Sequence, residues 1–199
     1  MNLLPIAAAP GFFRNLDAAK WGDIGQATLD TLLMLAGALP LTLLIGLPLG
    51  VALFLCGAPQ LRRRPVLYGA LAAVINLLRS VPFIILMIAM IPLTLMLMGT
   101  SLGVRGAILP LVVGAAPFYA RLVETALREV DRGIIEASQA MGATTRQLVW
   151  RVLLPEARPG LIAGATVTTI ALITVIALLV LVQLLQMLGD RLVARYSRR

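Results

Sequence analysis

Apolar residues run through this chain in long blocks, and polar residues gather in the short gaps between them. The first block, Thr28 to Cys56, exceeds the about 20 residues that a transmembrane helix needs. Pro40 and Pro48 lie inside it, which a membrane helix tolerates when its neighbours satisfy the freed carbonyls. "GAPQLRRRPVLYG" follows as a tight loop carrying Arg62, Arg63 and Arg64. The next block, Val66 to Met98, is too long for one straight crossing. Within it, "NLLRSVPF" holds a charge at Arg79 and Pro82, which disfavours helix at Val81. The pattern predicts a helical arm over Val66 to Leu78, lying along the interface or extending a kinked helix, and a crossing from about Val81 to Met98. "GTSLGVRG", Gly99 to Gly106, reads as a short turn before a span over about Ala107 to Ala126. Near its end Arg121 and Glu124 stand one turn apart, so they can pair and anchor the helix at the interface, the alternative being a place in a substrate path.

Between that span and the last apolar block the pattern changes. "DRGIIEASQAM" can form a short helix with Asp131 as its N-cap. Gly142 is placed to end it in the left-handed conformation. "TTRQLVWRVLLP" predicts a second helix, opened by a capping box in which Gln147 follows Thr144 by three residues. Pro155 and Pro159 stop or bend it before the membrane resumes. Ala137, Ser138, Ala140 and Gly142 are small enough for another backbone to come close, and Glu136 offers a charge. Two readings fit such a segment: a docking surface for a partner, or an amphipathic loop resting on lipid headgroups.

Composition narrows the class. The chain has 199 residues, 60% of them hydrophobic, and a mean hydropathy of +0.96. Soluble domains are about 45–50% apolar, so the balance points to a helical membrane protein. The net charge of +8 comes almost wholly from arginine, Lys20 being the single lysine. These arginines flank apolar blocks, where they set topology rather than bind nucleic acid. There is no histidine, and Cys56 stands alone, which rules out an internal disulfide and a His/Cys metal site. No GxxxxGK stretch is present, so a usual phosphate-binding loop is excluded. Any energised work needs a nucleotide site on a partner. "MNLLPIAAAPGFFRNLDAAKWGD" lacks the basic start of a signal peptide. It reads as an extramembrane or interfacial lead-in with Trp21 as an anchor.

One further pattern carries a resemblance. Glu136-Ala137-Ser138, then Gly142, then Val152-Leu153-Leu154-Pro155 resembles the EAA loop of ABC importer permeases. Ser138 stands for the second alanine and Val152 for the isoleucine of that pattern. "RSVPFIILMIAMIPLT" and "VGAAPFYARLVETALREVDRGIIEASQAMGAT" are similar to the methionine-importer branch. The similarity covers about Gln26 to Ile173 and the C-terminal "GDRLVARYSRR". It implies an all-α, polytopic type I permease bundle, a single domain over residues 1–199 with its coupling loop at about 129–160. It implies ATPase coupling through Glu136, Ala137, Ser138, Ala140, Gly142, Leu154 and Pro155, with no catalytic residue on this chain. The implied partners are a second copy of the chain, two ATP-binding subunits that hold ATP and magnesium, an outer substrate-binding lipoprotein and membrane lipid. The implied cargo is methionine, including the D-form. A permease for another amino acid or small osmolyte, and a non-transporting scaffold or sensor, are the alternatives.

The resemblance implies the bacterial inner membrane, and arginine asymmetry predicts the N-terminus outside with the loop and C-terminus in the cytoplasm. The last block, Leu161 to Leu188, conflicts with that count. Its length of about 42 Å as a helix exceeds the about 30 Å hydrocarbon core, yet two crossings need about 40 residues. In the family a glycine-rich stretch and a further helix start separate two halves here. The expectation is therefore a chain shortened near Ile173–Thr174, from a parent with five crossings, with those two Cα atoms farther apart than about 3.8 Å. No residues announce a substrate site. Met87, Met90, Met96 and Met98 could line a thioether-friendly path, although methionine also packs membrane helices.

Overall fold

A computed structural model describes residues 20–58 and 64–196. The lead-in to residue 19, Gln60, Arg62, Arg63, Arg198 and Arg199 lie outside the described residues, as does the side chain of Trp21. Every regular element among the described residues is helical, as the blocks of apolar sequence predict.

The first block forms helix α1, Lys20–Gly57, with Pro40 and Pro48 inside it. The arm is α2, Pro65–Ser80, with Pro65 in its first turn, where a missing N–H costs nothing. The crossing predicted over Val81 to Met98 is not one straight helix. Two short helices replace it: α3, Phe83–Ala89, and α4, Ile91–Met98. The axes of α2 and α3 differ by 103°. Pro82 accounts for the bend, because it holds Val81 extended at φ −78°, ψ 126°. Pro92 removes an N–H from the first turn of α4, which separates α4 from α3 at Met90. Gly99 closes α4 at φ 72°. The following turn is tighter than the predicted Gly99–Gly106, because α5, Gly103–Arg128, starts ahead of Ala107.

α5 is the centre of the bundle, and α1 makes its most extensive contact. Glycines on α1 let the two helices come close. A Cβ on Gly50 would lie 2.5 Å from the Ala120 carbonyl oxygen, and one on Gly46 2.8 Å from Tyr119. On the other flank, a Cβ on Gly160 would lie 2.7 Å from Ala126. Lipid tails are as apolar as leucine, so membrane helices associate through close backbone packing of this kind.

After α5 come α6, Arg132–Ala140, and α7, Thr145–Leu148. A π-helical turn follows at Val149–Leu153, then α8, Leu154–Glu156. The last element is α9, Arg158–Tyr196, one continuous helix of 39 residues. The expected separation at Ile173–Thr174 is thus overturned. Thr174 Oγ1 donates 2.8 Å to the Ile170 carbonyl across that junction. Thr166, Thr168 and Thr169 likewise bond the carbonyl four residues back, which satisfies their hydroxyls inside an apolar helix. With no proline after Pro159, nothing interrupts the helix.

Three described helices are long and apolar enough to cross a membrane: Thr28–Gly57 within α1, α5, and Arg158–Leu178 within α9. The bent pair α2–α3 makes a fourth if it counts as one span. Five crossings therefore belong to the expectation for a longer parent.

Candidate functional site

The polar segment after α5 is built turn by turn from local devices. Asp131 caps α6, its carboxylate accepting from the Gly133 N–H at 2.6 Å. At the other end the Ala143 N–H reaches the Ser138 carbonyl and the Gly142 N–H reaches that of Gln139. This crossed pair closes the helix with Gly142 at φ 81°, a conformation that costs a Cβ-bearing residue energy. Thr144 then opens α7 with a complete capping box. Its N–H donates to Gln147 Oε1 at 2.9 Å, and the Gln147 N–H donates to Thr144 Oγ1 at 3.4 Å. Pro155 has no N–H to return to the Arg151 carbonyl, and the turn ahead of it widens to the π form.

These short helices do not float. Ile135, Leu148, Val149, Leu153 and Ala157 are buried in one cluster with Phe54 and Ala58 from the end of α1 and Tyr119, Val123, Ala126 and Leu127 of α5. Leu148 is 1% and Leu153 0% exposed. The segment is a lever bolted to the two central helices. The short helices thus share one close-packed core with α1 and α5.

The seven residues singled out by the loop pattern divide into two groups. Glu136, Ala137, Ala140 and Gly142 lie on the exposed face of α6 and its cap. Nothing of the chain itself lies within 4 Å of a Cβ built on Gly142, so the space there is open to a partner. Ser138 faces inward at 6% exposure, its hydroxyl donating 2.7 Å to the Ile134 carbonyl. Leu154 packs against the buried cluster, and Pro155 is half-buried beside it. These three belong to the mounting. Met141 at 82% and Trp150 at 66% exposure extend the open surface, a large apolar area that the loop pattern does not mark. Thr144, Arg146, Gln147, Trp150 and Arg151 border a shallow cleft beside it.

Arg121 and Glu124 pair as their spacing predicts, at 2.7 Å, but the pair does more than anchor an interface. Glu124 is 3% exposed. Its other oxygen accepts from Arg128 at 2.7 Å and from the Tyr68 hydroxyl at 3.2 Å. Arg121 also reaches Asn76 at 3.0 Å. Tyr68 and Asn76 stand on α2, so this network ties the arm to α5 one turn before the loop. Sequence spacing cannot find those partners, which lie 56 and 45 positions away. The four methionines at 87, 90, 96 and 98 are absent from the lining of the cavity beside the α2–α3 bend; Met96 is 85% exposed.

Comparison with known proteins places this arrangement. The family model for binding-protein-dependent transport system inner membrane components matches residues 42–198. The D-methionine transport system permease protein MetI of Salmonella typhimurium is 56% identical over 128 residues, 64% of this chain. That match spans 59% of the relative, less than two thirds of its length. The methionine import system permease protein MetP of Bacillus subtilis is 46% identical over 161 residues, 81% of this chain and 71% of that one. Among solved structures, a chain of the inward-facing MetNI methionine ABC transporter superposes with a TM-score of 0.73 at 40% identity. The match covers 85% of this chain and 94% of that one.

Proposed function

This chain belongs to the family of binding-protein-dependent transport system inner membrane components, and we propose that it is the membrane permease subunit of an ATP-driven methionine importer. The observation that carries the reading is the lever: an exposed helix, α6, whose inner face is packed into α1 and α5. Its partner would be an ATP-hydrolysing subunit that receives Glu136, Ala137, Ala140 and Gly142 in a cleft. Closure of two such motors would draw two levers together across a dimer of this chain, and an outer binding lipoprotein would deliver the cargo. The bundle would then alternate between inward- and outward-open states, an equilibrium biased by nucleotide and by cargo. ATP and magnesium would stay on the motor, and this chain would do positional work.

The proposed orientation puts the N-terminus outside and the lever in the cytoplasm, following the arginines at 62–64, 128, 132 and 146, with the bent stretch from α2 to α4 counted as one crossing ahead of α5. On this reading one pass of α9, about 58 Å long, carries the C-terminal end across the bilayer. The expectation of a cytoplasmic C-terminus is given up for this chain.

Uptake of labelled L-methionine into vesicles holding this chain and the ATPase tests the proposal. Accumulation that needs ATP and is competed by unlabelled L- and D-methionine is the expected result. Hydrolysis by the partner that ignores both this chain and methionine would contradict it and favour a scaffold.

A further inference from the structure

At the bend between α2 and α3, side chains from three parts of the chain surround an open-sided cavity of about 280 Å³. Arg79 and Phe83 come from the bend, Gly114 and Phe118 from α5, and Leu172 and Val175 from α9. Arg79 is the one charged side chain in the lining; the rest of it is apolar. Its guanidinium sits 5.7 Å from the centre of the Phe118 ring. Among the described residues, the ion pairs go to Glu124, and no carboxylate pairs with Arg79.

The backbone supplies the opposite sign. α2 ends at Ser80, and the last four carbonyls of a helix have no partner within it. Val81 is extended and Pro82 has no N–H, so the chain cannot satisfy those carbonyls by continuing. The C-terminal end of a helix also carries partial negative charge. Leu78, Arg79 and Val81 all line the cavity, which brings a cation and the C-terminal end of α2 to one wall. In apolar surroundings, non-helical backbone persists where it borders a cavity, and broken helices of this kind bind charged cargo. The volume lies just under the roughly 300–1,000 Å³ of sites for drug-sized ligands, which suits a single amino acid.

We propose that this cavity is a subsite for an α-amino acid zwitterion with an apolar side chain. The carboxylate meets Arg79, the ammonium faces the carbonyls at the end of α2, and the side chain lies among Phe83, Phe118 and Val175. The proposal rests on the transport reading, for which it names the place of the cargo.

Binding of labelled L-methionine and L-norleucine to the full chain in lipid nanodiscs tests it. Competitors are methionine methyl ester, which lacks the carboxylate, and 3-(methylthio)propionate, which lacks the ammonium. Both should compete poorly with the wild type. Arg79→Gln should weaken methionine binding by roughly tenfold or more and abolish the preference for acid over ester; Arg79→Lys should retain part of both. Gly114→Val fills the cavity, since a Cβ there already lies 3.4 Å from Phe83 and Leu86. It should weaken both amino acids while leaving the acid-over-ester preference intact. Thermal melting of each variant reports folding. Wild-type affinity and wild-type preference in Arg79→Gln would overturn the subsite, even if ATP-driven methionine uptake is observed. Binding of norleucine but not methionine, lost in Arg79→Gln, would uphold the subsite and remove methionine as the cargo. If the folded wild-type chain binds no apolar amino acid, the subsite is wrong.

Discussion

Residues 131–157 and helix α9 are neighbours in the chain and are built on opposite rules. In the first, each change of direction has its own local cause: Asp131 caps, Gly142 reverses the chain, Thr144 and Gln147 restart it, Pro155 widens it. In the second, 39 residues follow one rule, and nothing marks where a span should stop. Packing differs in the same sense. The lever buries Ile135, Leu148 and Leu153, whereas the crossing part of α9 is 22% buried inside the chain, against 50% for α5. A segment dense in local signals holds one shape wherever it docks. A uniform apolar helix takes its limits from what surrounds it.

Stability should reflect that contrast, most strongly at the network that carries the lever's root. Glu124→Ala strips two arginines of a buried carboxylate and cuts the tie to Tyr68. Breaking a buried ion pair on one side costs about 3–5 kcal/mol, and thermal melting in detergent should show it as the largest loss in this set. Glu124→Gln should recover part of it by keeping an acceptor.

Next comes a matched pair of truncations. Leu153→Ala removes a side chain with 0% exposure from the lever's mounting and should cost about 2–5 kcal/mol. Leu178→Ala, on α9 at 54% exposure, should stay within about 0.5 kcal/mol. Equal losses at the two positions would remove the distinction between them.

How much of this was legible in the sequence follows the same line. The lever is readable because its caps and turns depend on residues two to five positions apart, so Asp131, Gly142 and the Thr144–Gln147 box can be placed without tertiary knowledge. Three of its seven marked residues still turned inward or half inward, Ser138 among them, because the face a short helix buries is chosen by α1 and α5. Pro82 marks the break between α2 and α3 in the sequence but not its 103° angle, and Pro92 adds a second interruption that the apolar pattern does not show. At Ile173–Thr174 the family pattern argues for a break that the local chemistry of α9 does not require. Tyr68 and Asn76 were invisible as partners of Glu124 and Arg121, being distant in sequence.

Smaller effects probe the lever's surface. Gly142→Val forces a β-branched residue to φ 81°, a strain of roughly 1–2 kcal/mol. Transport should fall while the chain still assembles in the membrane. Gly142→Asn, which tolerates that conformation better, should lie between Val and wild type. Glu136→Lys should be weakest, since a single charge at the edge of an interface is readily resolvated. Uptake rates normalised to membrane-inserted protein would rank the three variants.

The central claim is that the exposed face of α6 receives the motor. Replacing Cys56 with alanine and placing a cysteine at Ala137 gives one reactive thiol on that face, since Cys56 is the chain's single cysteine. Its maleimide labelling rate in nanodiscs should drop sharply when the ATP-binding subunit is added, while a cysteine at Val66, 85% exposed on α2, should label at an unchanged rate. Labelling of Ala137→Cys that is indifferent to a bound, hydrolysing motor would contradict the claim.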